Sequence, residues 1–332
     1  MIGYLIRRLL AAVAILAVIS AVTFFLFFAL PGDPGRVDCG RVCTPQQLAA
    51  IHHTLGLDHP IVVQYWTFIK GIFVGRDYTQ ADQKVHCGVP CFGYSTVNHQ
   101  PVWHTLIQRF PATISLALGA ATIFLIVGVG FGVVSALRSQ TWLDRLGIGF
   151  TVFGSSLQIF VVGPILIQLL VRDWHVMPPP QYVPITQDPV GWFKGLLLPW
   201  LVLAMVFIAF YARLTRAQML ETMGEDFIRA ARARGVSSRL LHFKHTGRAT
   251  LSPIITVFGL DLAGLLSGAI ITESTFNIQG LGRLALTSVQ QSDLSIMMAT
   301  VLMGAVLILI ANLIVDLVYS VIDPRVRASQ LT

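Results

Sequence analysis

The chain is poor in charge. Of its 332 residues only 12% are Asp, Glu, Lys or Arg, against 55% hydrophobic, with a mean hydropathy of +0.72. Soluble domains carry about twice that charged fraction, so a water-soluble globular fold is excluded. Several catalytic signatures are also missing. No Gly-Lys dipeptide occurs anywhere, which removes a Walker A phosphate loop and ATP hydrolysis by that route. No His-Glu-x-x-His occurs either, which removes the zinc-protease pattern. The nearest approach to an intramembrane Gly-x-Ser-Gly is Leu265-Leu266-Ser267-Gly268, where leucine occupies the first glycine's place and the last apolar run offers no histidine base; a nucleophile needs such a base. The net charge of +7 is not accompanied by basic stretches interleaved with aromatics, so nucleic acid is not an expected partner. Cysteine is scarce, and its four copies are confined to one stretch.

What the chain has instead is long apolar runs. After a short basic start, Leu9 to Leu30 is uncharged over 22 residues, long enough to span a bilayer and longer than a signal-peptide core. It reads as a retained helix over 1–30, ended by Pro31-Gly32-Asp33-Pro34 because proline does not continue a helix. Ala112–Leu137 and Leu146–Val171 are uncharged over 26 residues each. Gly195–Ala212, Ala249–Thr272 and Leu294–Ile322 complete six predicted spans. The expectation is an all-α polytopic membrane protein with six transmembrane helices and both ends on one side. Gly128, Gly130 and Gly132, and the pair Gly264 and Gly268, offer small-residue faces for close helix packing. With the termini inside, 14 of the 23 Lys and Arg residues are cytosolic; six of the other nine fall in the long first loop, where the positive-inside rule is weak. A polar tail, 323–332, then lies in the cytosol, and residues 111–322 form a five-helix core.

Residues 31–110 form an extracytoplasmic region with structure of its own. Thr44-Pro45-Gln46-Gln47 is a helix start, with threonine as cap and proline in the first turn. Cys39-x3-Cys43 and Cys87-x3-Cys91 lie here. In an oxidising compartment they are disulfide candidates, with three pairings open; a zinc site is the alternative, although the spacing departs from the usual two-residue knuckle. Charges inside apolar runs are costly and face protein or water. Asp261 falls in the middle of the fifth span and Glu273 at its outer end. Asp261 is a candidate to line a translocation path, or to make a packing hydrogen bond; Asn312 and Asp316, four apart, read as such a packing pair.

One polar island interrupts the second half, residues 213–248. In it Glu225-Asp226-Phe227-Ile228-Arg229-Ala230-Ala231 leads to Gly235, with His245 ten residues on and Pro253 eight further. The small residues suit a short helix that approaches a partner closely, and the glycine supplies a left-handed end. This segment closely resembles the coupling loop of bacterial ABC importer permeases, in the dipeptide, oligopeptide and nickel branch. The resemblance extends to Tyr4–Leu9 with Leu30–Pro34, to Leu55–Pro60 with Gln64-Tyr65, to Glu273–Phe276 with Gly280-Leu281-Gly282, and to Asn312-x3-Asp316-x2-Tyr319-x3-Asp323-Pro324-Arg325-x-Arg327. It departs in the cysteines of an enlarged first loop, in Ser292-Asp293-Leu294-Ser295, and in Arg229, which stands where other branches carry glutamate.

The resemblance implies a type I importer permease subunit in the bacterial plasma (inner) membrane. It implies a second permease as heterodimer partner, two ATPase subunits that bind ATP and Mg, and an extracytoplasmic substrate-binding protein. This chain itself would bind no cofactor or metal and be no enzyme. Asp226, Arg229, Ala230, Ala231, Gly235, Ser237 and Arg239 would couple to an ATPase, and Glu273 would shape the outer gate. Peptides are the implied cargo, with a nickel chelate or a glutathione-like solute as alternatives. A gradient-driven transporter or channel is the competing class; inverted repeats and interrupted helices would mark it, and the hydropathy shows neither.

Overall fold

The computed structural model describes residues 2–28, 33, 35–36, 43–55, 57–80, 83–95, 97–142, 149 and 158–322. Helix α1 is Ile2–Phe28. Helix α2, Pro45–Leu55, opens on a reciprocal capping box: the Gln47 amide donates to Thr44 Oγ1 at 3.3 Å and the Thr44 amide donates to Gln47 Oε1 at 3.1 Å, which satisfies two otherwise orphaned donors. Helix α3 is Ile61–Val74. Strands β1 (Arg76–Gln80) and β2 (Gln83–Cys87) pair antiparallel, with Arg76 opposite Cys87 and Tyr78 opposite Val85. Strands β3 (Tyr94–Ser95) and β4 (Gln100–Pro101) make a second small antiparallel ladder.

Helix α4 runs Val102–Leu137 and α5 runs Ile159–Leu166, continuing as a π-helical stretch over Ile167–Asp173. Helix α6 is Pro189–Gly224, started by Asp188, whose carboxylate accepts from the Val190 amide at 3.1 Å. Then come α7 (Asp226–Ala233), the single turn α8 (Ser238–Leu240), a π-helical stretch over Leu241–Thr246, and α9 (Gly247–Ser267). Helices α10 (Ile270–Thr275), α11 (Leu281–Gln291) and α12 (Leu294–Ile322) end the described chain.

Five of these helices are long and apolar enough to cross a membrane: Ile6–Phe28, Val102–Leu137, Pro189–Gly224, Ala249–Ser267 and Leu294–Leu317. Of the expected span over Leu146–Val171, residues 146–148 and 150–157 lie outside the described residues; most of the remainder is α5 and the π-helical stretch after it. Several helix boundaries differ from the hydropathy reading. Helix α4 starts at Val102 rather than Ala112, directly after Pro101, a residue suited to a helix entrance. Helix α6 does not end at Ala212, because Arg213 to Met223 are good helix formers and Thr215, Met219 and Thr222 are buried. The apolar run ends at Ala212 but the helix does not, so much of the expected cytosolic loop 213–248 is helical. The fifth span breaks at Gly268, whose φ is +129°, a conformation suited to glycine. A Cβ there would lie 2.8 Å from Gly282 Cα.

The described chain divides into two compact units. The first comprises Met1–Thr113, Ser267–Glu273 and Gln279–Leu309. Its apolar centre is Phe24, Phe68, Met298 and Leu302, with Ile61, Tyr65, Ile69 and Ile72 packed around them. The small sheets add Tyr78, Tyr94 and the buried disulfide Cys87–Cys91. The second comprises Ile114–Leu266, Ser274–Ile278 and Ile310–Thr332. Here the predicted glycine face is real at two of its three positions. A Cβ on Gly128 would meet Tyr211 Cβ at 2.8 Å, and one on Gly132 would meet Ala212 O at 2.7 Å, whereas Gly130 faces open space. A Cβ on Gly264 would meet nothing within 4 Å, whereas Gly268 packs closely on Gly282 at the chain break. Phe124 stacks on Phe207 at 4.8 Å and packs against Tyr211 and Phe258.

Candidate functional site

The polar island folds, in the second unit, into a compact helical turn. Helix α7 has one fully buried residue, Ile228, while Asp226, Phe227, Arg229, Ala230 and Ala233 are exposed and Ala231 is half-buried. Arg229 donates to Gly224 O at 3.0 Å and lies 3.0 Å from Asp226 Oδ1, one turn back. Both side chains are in solvent, so the ion pair adds little to stability and mainly fixes the direction of the guanidinium.

The helix closes with a Schellman motif. The Gly235 amide donates to Arg232 O at 3.0 Å and the Val236 amide donates to Ala231 O at 3.3 Å, with Gly235 at φ +78°, the pattern in which a left-handed residue satisfies the last carbonyls of a helix. Ser237 stands at the N-cap of α8, which contains Arg239. Leu241 anchors the following stretch in the interior, while Phe243 is exposed. Behind this turn lies an apolar cavity of about 220 Å³ lined by residues including Val133, Met219, Phe243 and Ile254.

Asp261 is partly exposed on α9. Its Oδ2 accepts the Tyr211 hydroxyl at 2.8 Å, a bond between α9 and α6 of the kind the packing reading expects. Tyr211 was not legible beforehand, because it lies 50 residues away in sequence and no local spacing links them.

Glu273, in the first unit, is fully buried. Its Oε1 accepts the Thr113 hydroxyl at 2.8 Å and its Oε2 accepts the Arg283 amide at 2.8 Å, while Thr113 Oγ1 in turn accepts the Leu281 amide at 2.7 Å. The carboxylate thus caps α11 and ties it to α4, satisfying amides that a helix N-terminus leaves unpaired. Nearby, Arg109 donates to Gln279 Oε1. A second buried carboxylate escaped the sequence reading as a site. Asp293 accepts the Ser95 hydroxyl, and at 3.0 Å the Ile296 amide, so it caps α12 while holding β3. Burial pushes its carboxyl above the ordinary carboxylate value, and the hydrogen bonds from Ser95 and the backbone of Ile296 and Ser295 oppose that rise.

Cys87 and Cys91 form a disulfide, which commits both sulfurs and settles the zinc alternative for that pair. Cys43 is also disulfide-bonded; Cys39 lies outside the described residues, as does the tail 323–332.

Comparison with known proteins fits this geometry. The family model described as the N-terminal part of the membrane component of binding-protein-dependent transport systems matches residues 1–117. The model described as the inner membrane component of such systems matches residues 128–328. The chain is 36% identical to the probable peptide ABC transporter permease protein y4tP of Sinorhizobium fredii, covering 98% of this chain and 99% of the relative. It is 32% identical to the glutathione transport system permease protein GsiC of Salmonella typhimurium, over 98% of this chain and 99% of the relative. Among solved structures, a chain of the inward-facing MetNI methionine ABC transporter shares its fold with a TM-score of 0.53 at 13% identity, covering 67% of this chain and 97% of that one. The chain therefore belongs to the family of inner membrane components of binding-protein-dependent transport systems, and is a multi-pass permease subunit of the ABC importer type.

Proposed function

We propose that this permease imports peptides. It does so as one half of a heterodimer with a second permease, driven by two ATPase subunits and loaded by an extracytoplasmic substrate-binding protein. Asp226, Arg229, Ala230, Ala231, Gly235, Ser237 and Arg239 form the element that an ATPase grips. The observation that carries the reading is α7 itself, an eight-residue helix rooted by Ile228 alone, closed by Gly235, and turning small and charged side chains to solvent. Such an element transmits a rigid-body push without chemistry of its own; ATP and Mg act on the partner subunits. The names of the relatives, peptide for y4tP and glutathione for GsiC, support a peptide-like cargo over a nickel chelate.

The test is affinity purification of the tagged chain in mild detergent, with the co-purifying proteins identified and ATPase activity measured with di-, tri- and oligopeptides and with glutathione. Recovery of an ATPase and a second permease, with hydrolysis stimulated by peptides in the presence of the binding protein, is the expected result. A chain that purifies as a homo-oligomer without ATPase overturns the assembly and returns the gradient-driven reading. Stimulation by a nickel chelate alone overturns the cargo.

A further inference from the structure

Helix α3 lies within the region that the sequence assigns to the extracytoplasmic loop, yet it is apolar on two opposite sides. Ile61, Tyr65, Phe68, Ile69 and Ile72 face the core of the first unit. The opposite side carries Val62 at 67% exposure, Trp66 at 68% and Phe73 at 74%, with Val63 beside them. A helix that is apolar on the side away from the core as well as on the side facing it is not stable with that outer side in water. Its polar residues do not alter this. Gln64 donates to Leu57 O at 3.2 Å and His59 O at 2.7 Å, and the Thr67 hydroxyl donates back to Val63 O at 2.8 Å, so both are satisfied within the segment. Only Lys70 reaches outward.

Three observations identify what covers that face. With 14 residues the helix is about 21 Å long, too short to cross a hydrocarbon core of about 30 Å. It docks on the last turn of α1: Tyr65 lies 5.3 Å from Phe24 and 6.0 Å from Phe25, and Phe68 lies 5.9 Å from Phe24, ring centre to ring centre. That places it at the membrane-boundary end of α1, opposite Arg7 and Arg8. On α1 itself Val18, Val22 and Leu26 form an exposed stripe at intervals of four residues, the lipid-facing side of a span. Finally, Trp66 and Lys70 stand one turn apart on the exposed face. Tryptophan concentrates at the headgroup level and lysine extends its ammonium there from an apolar bed, whereas protein interfaces are depleted in lysine.

We propose that α3 lies in the bilayer interface as a lipid-anchored rest for the extracytoplasmic hairpin β1/β2, with Val62, Val63, Trp66 and Phe73 immersed among acyl chains and headgroups. Gly75, at φ +81°, turns the chain out of this layer into the polar strand Arg76–Gln80.

The experiment is site-directed spin labelling of the assembled transporter in liposomes. Val63→Cys and Phe73→Cys are labelled singly, with Val22→Cys as the lipid reference and Val89→Cys as the water reference. The expected result at both α3 positions is collision with oxygen exceeding collision with a water-soluble nickel chelate, as at Val22. Collision dominated by the nickel chelate, as at Val89, overturns the proposal; so does shielding from both reagents, which would mean a protein partner covers the face. A cysteine-free check is quenching of Trp66 by brominated phospholipid, read as the signal lost in Trp66→Phe. Loss of most of the lipid-quenchable difference supports the interface position, and no difference overturns it.

Discussion

Glu273 shows what a single buried carboxylate does here. Glu273→Ala leaves the Thr113 hydroxyl and the Arg283 amide without their acceptor, and each buried donor so orphaned costs about 1–3 kcal/mol. The expected outcome is a loss of roughly 2–6 kcal/mol, seen as a lowered unfolding temperature of the purified complex; Glu273→Gln, which keeps one carbonyl oxygen, loses less. An unchanged unfolding temperature in the alanine variant would refute the capping role. Asp293 makes a pH prediction. Because burial raises its carboxyl in the folded state, the folded protein takes up this proton at a higher pH than the unfolded chain does. The cost of burying the charge is absent below the unfolded value of about 3.9 and complete above the raised folded value. Acidification through that window should therefore stabilise the wild type relative to Asp293→Asn, and parallel pH profiles of unfolding temperature for the two would exclude the effect. Asp261 and Tyr211 should behave as a coupled pair: Tyr211→Phe and Asp261→Asn together cost less than the sum of the single losses, measured by the same melts. Asp293, which stands just before the last apolar run, escaped the sequence reading as a site, but Asp261 and Glu273 were legible, since a charge in an apolar run is conspicuous. Their partners were not, because Thr113 lies 160 residues from Glu273 and Ser95 lies 198 from Asp293, and only the folded chain brings them together.

At the level of elements, the turn after α7 gives the cleanest substitution. A Cβ at Gly235 would meet nothing within 4 Å, so any penalty comes from backbone conformation alone. A left-handed conformation costs an ordinary residue about 1–2 kcal/mol, is tolerated best by asparagine, and is worst for a β-branched side chain. Gly235→Asn should therefore keep peptide-stimulated ATPase activity in the assembled transporter. Gly235→Val should insert and assemble while losing most of the stimulation, because the α7 to α8 turn no longer transmits force. Equal activity in both variants would show that the turn does not couple. This helix end was readable from sequence, since a capping glycine leaves a local mark. The ends of α4 and α6 were not, because hydropathy records where a helix leaves the bilayer and is silent on where its hydrogen bonds stop. The hairpin β1/β2 was hidden for a different reason: its strands Arg76–Gln80 and Gln83–Cys87 are only five residues each, too short for a visible alternation. Helix α3 was concealed by its neighbourhood, a 14-residue apolar segment too short to register as a span in a region otherwise polar.

For the whole molecule, orientation rests on charge, and charge gives it a definite test. Outside the long first loop, the proposed exterior holds only Arg172, Lys194 and Arg283, against 14 Lys and Arg on the cytosolic side, a bias that sets topology through short loops. Ser139→Cys and Ala233→Cys, both at exposed positions, should react with a membrane-impermeant maleimide only in inverted vesicles. Val89→Cys and Trp174→Cys, exposed on the other side of the reading, should react in intact cells. The native cysteines among the described residues do not interfere, because all of them are disulfide-bonded. The opposite pattern would put α7 on the face away from ATP, and the coupling role assigned to Asp226 through Arg239 would fail with it. The interfacial position of α3 would survive that reversal, since it depends on depth at the end of α1 and not on which compartment that end faces. Labelling and spin-probe depth together therefore separate an error in orientation from an error in reading the exposed apolar helix.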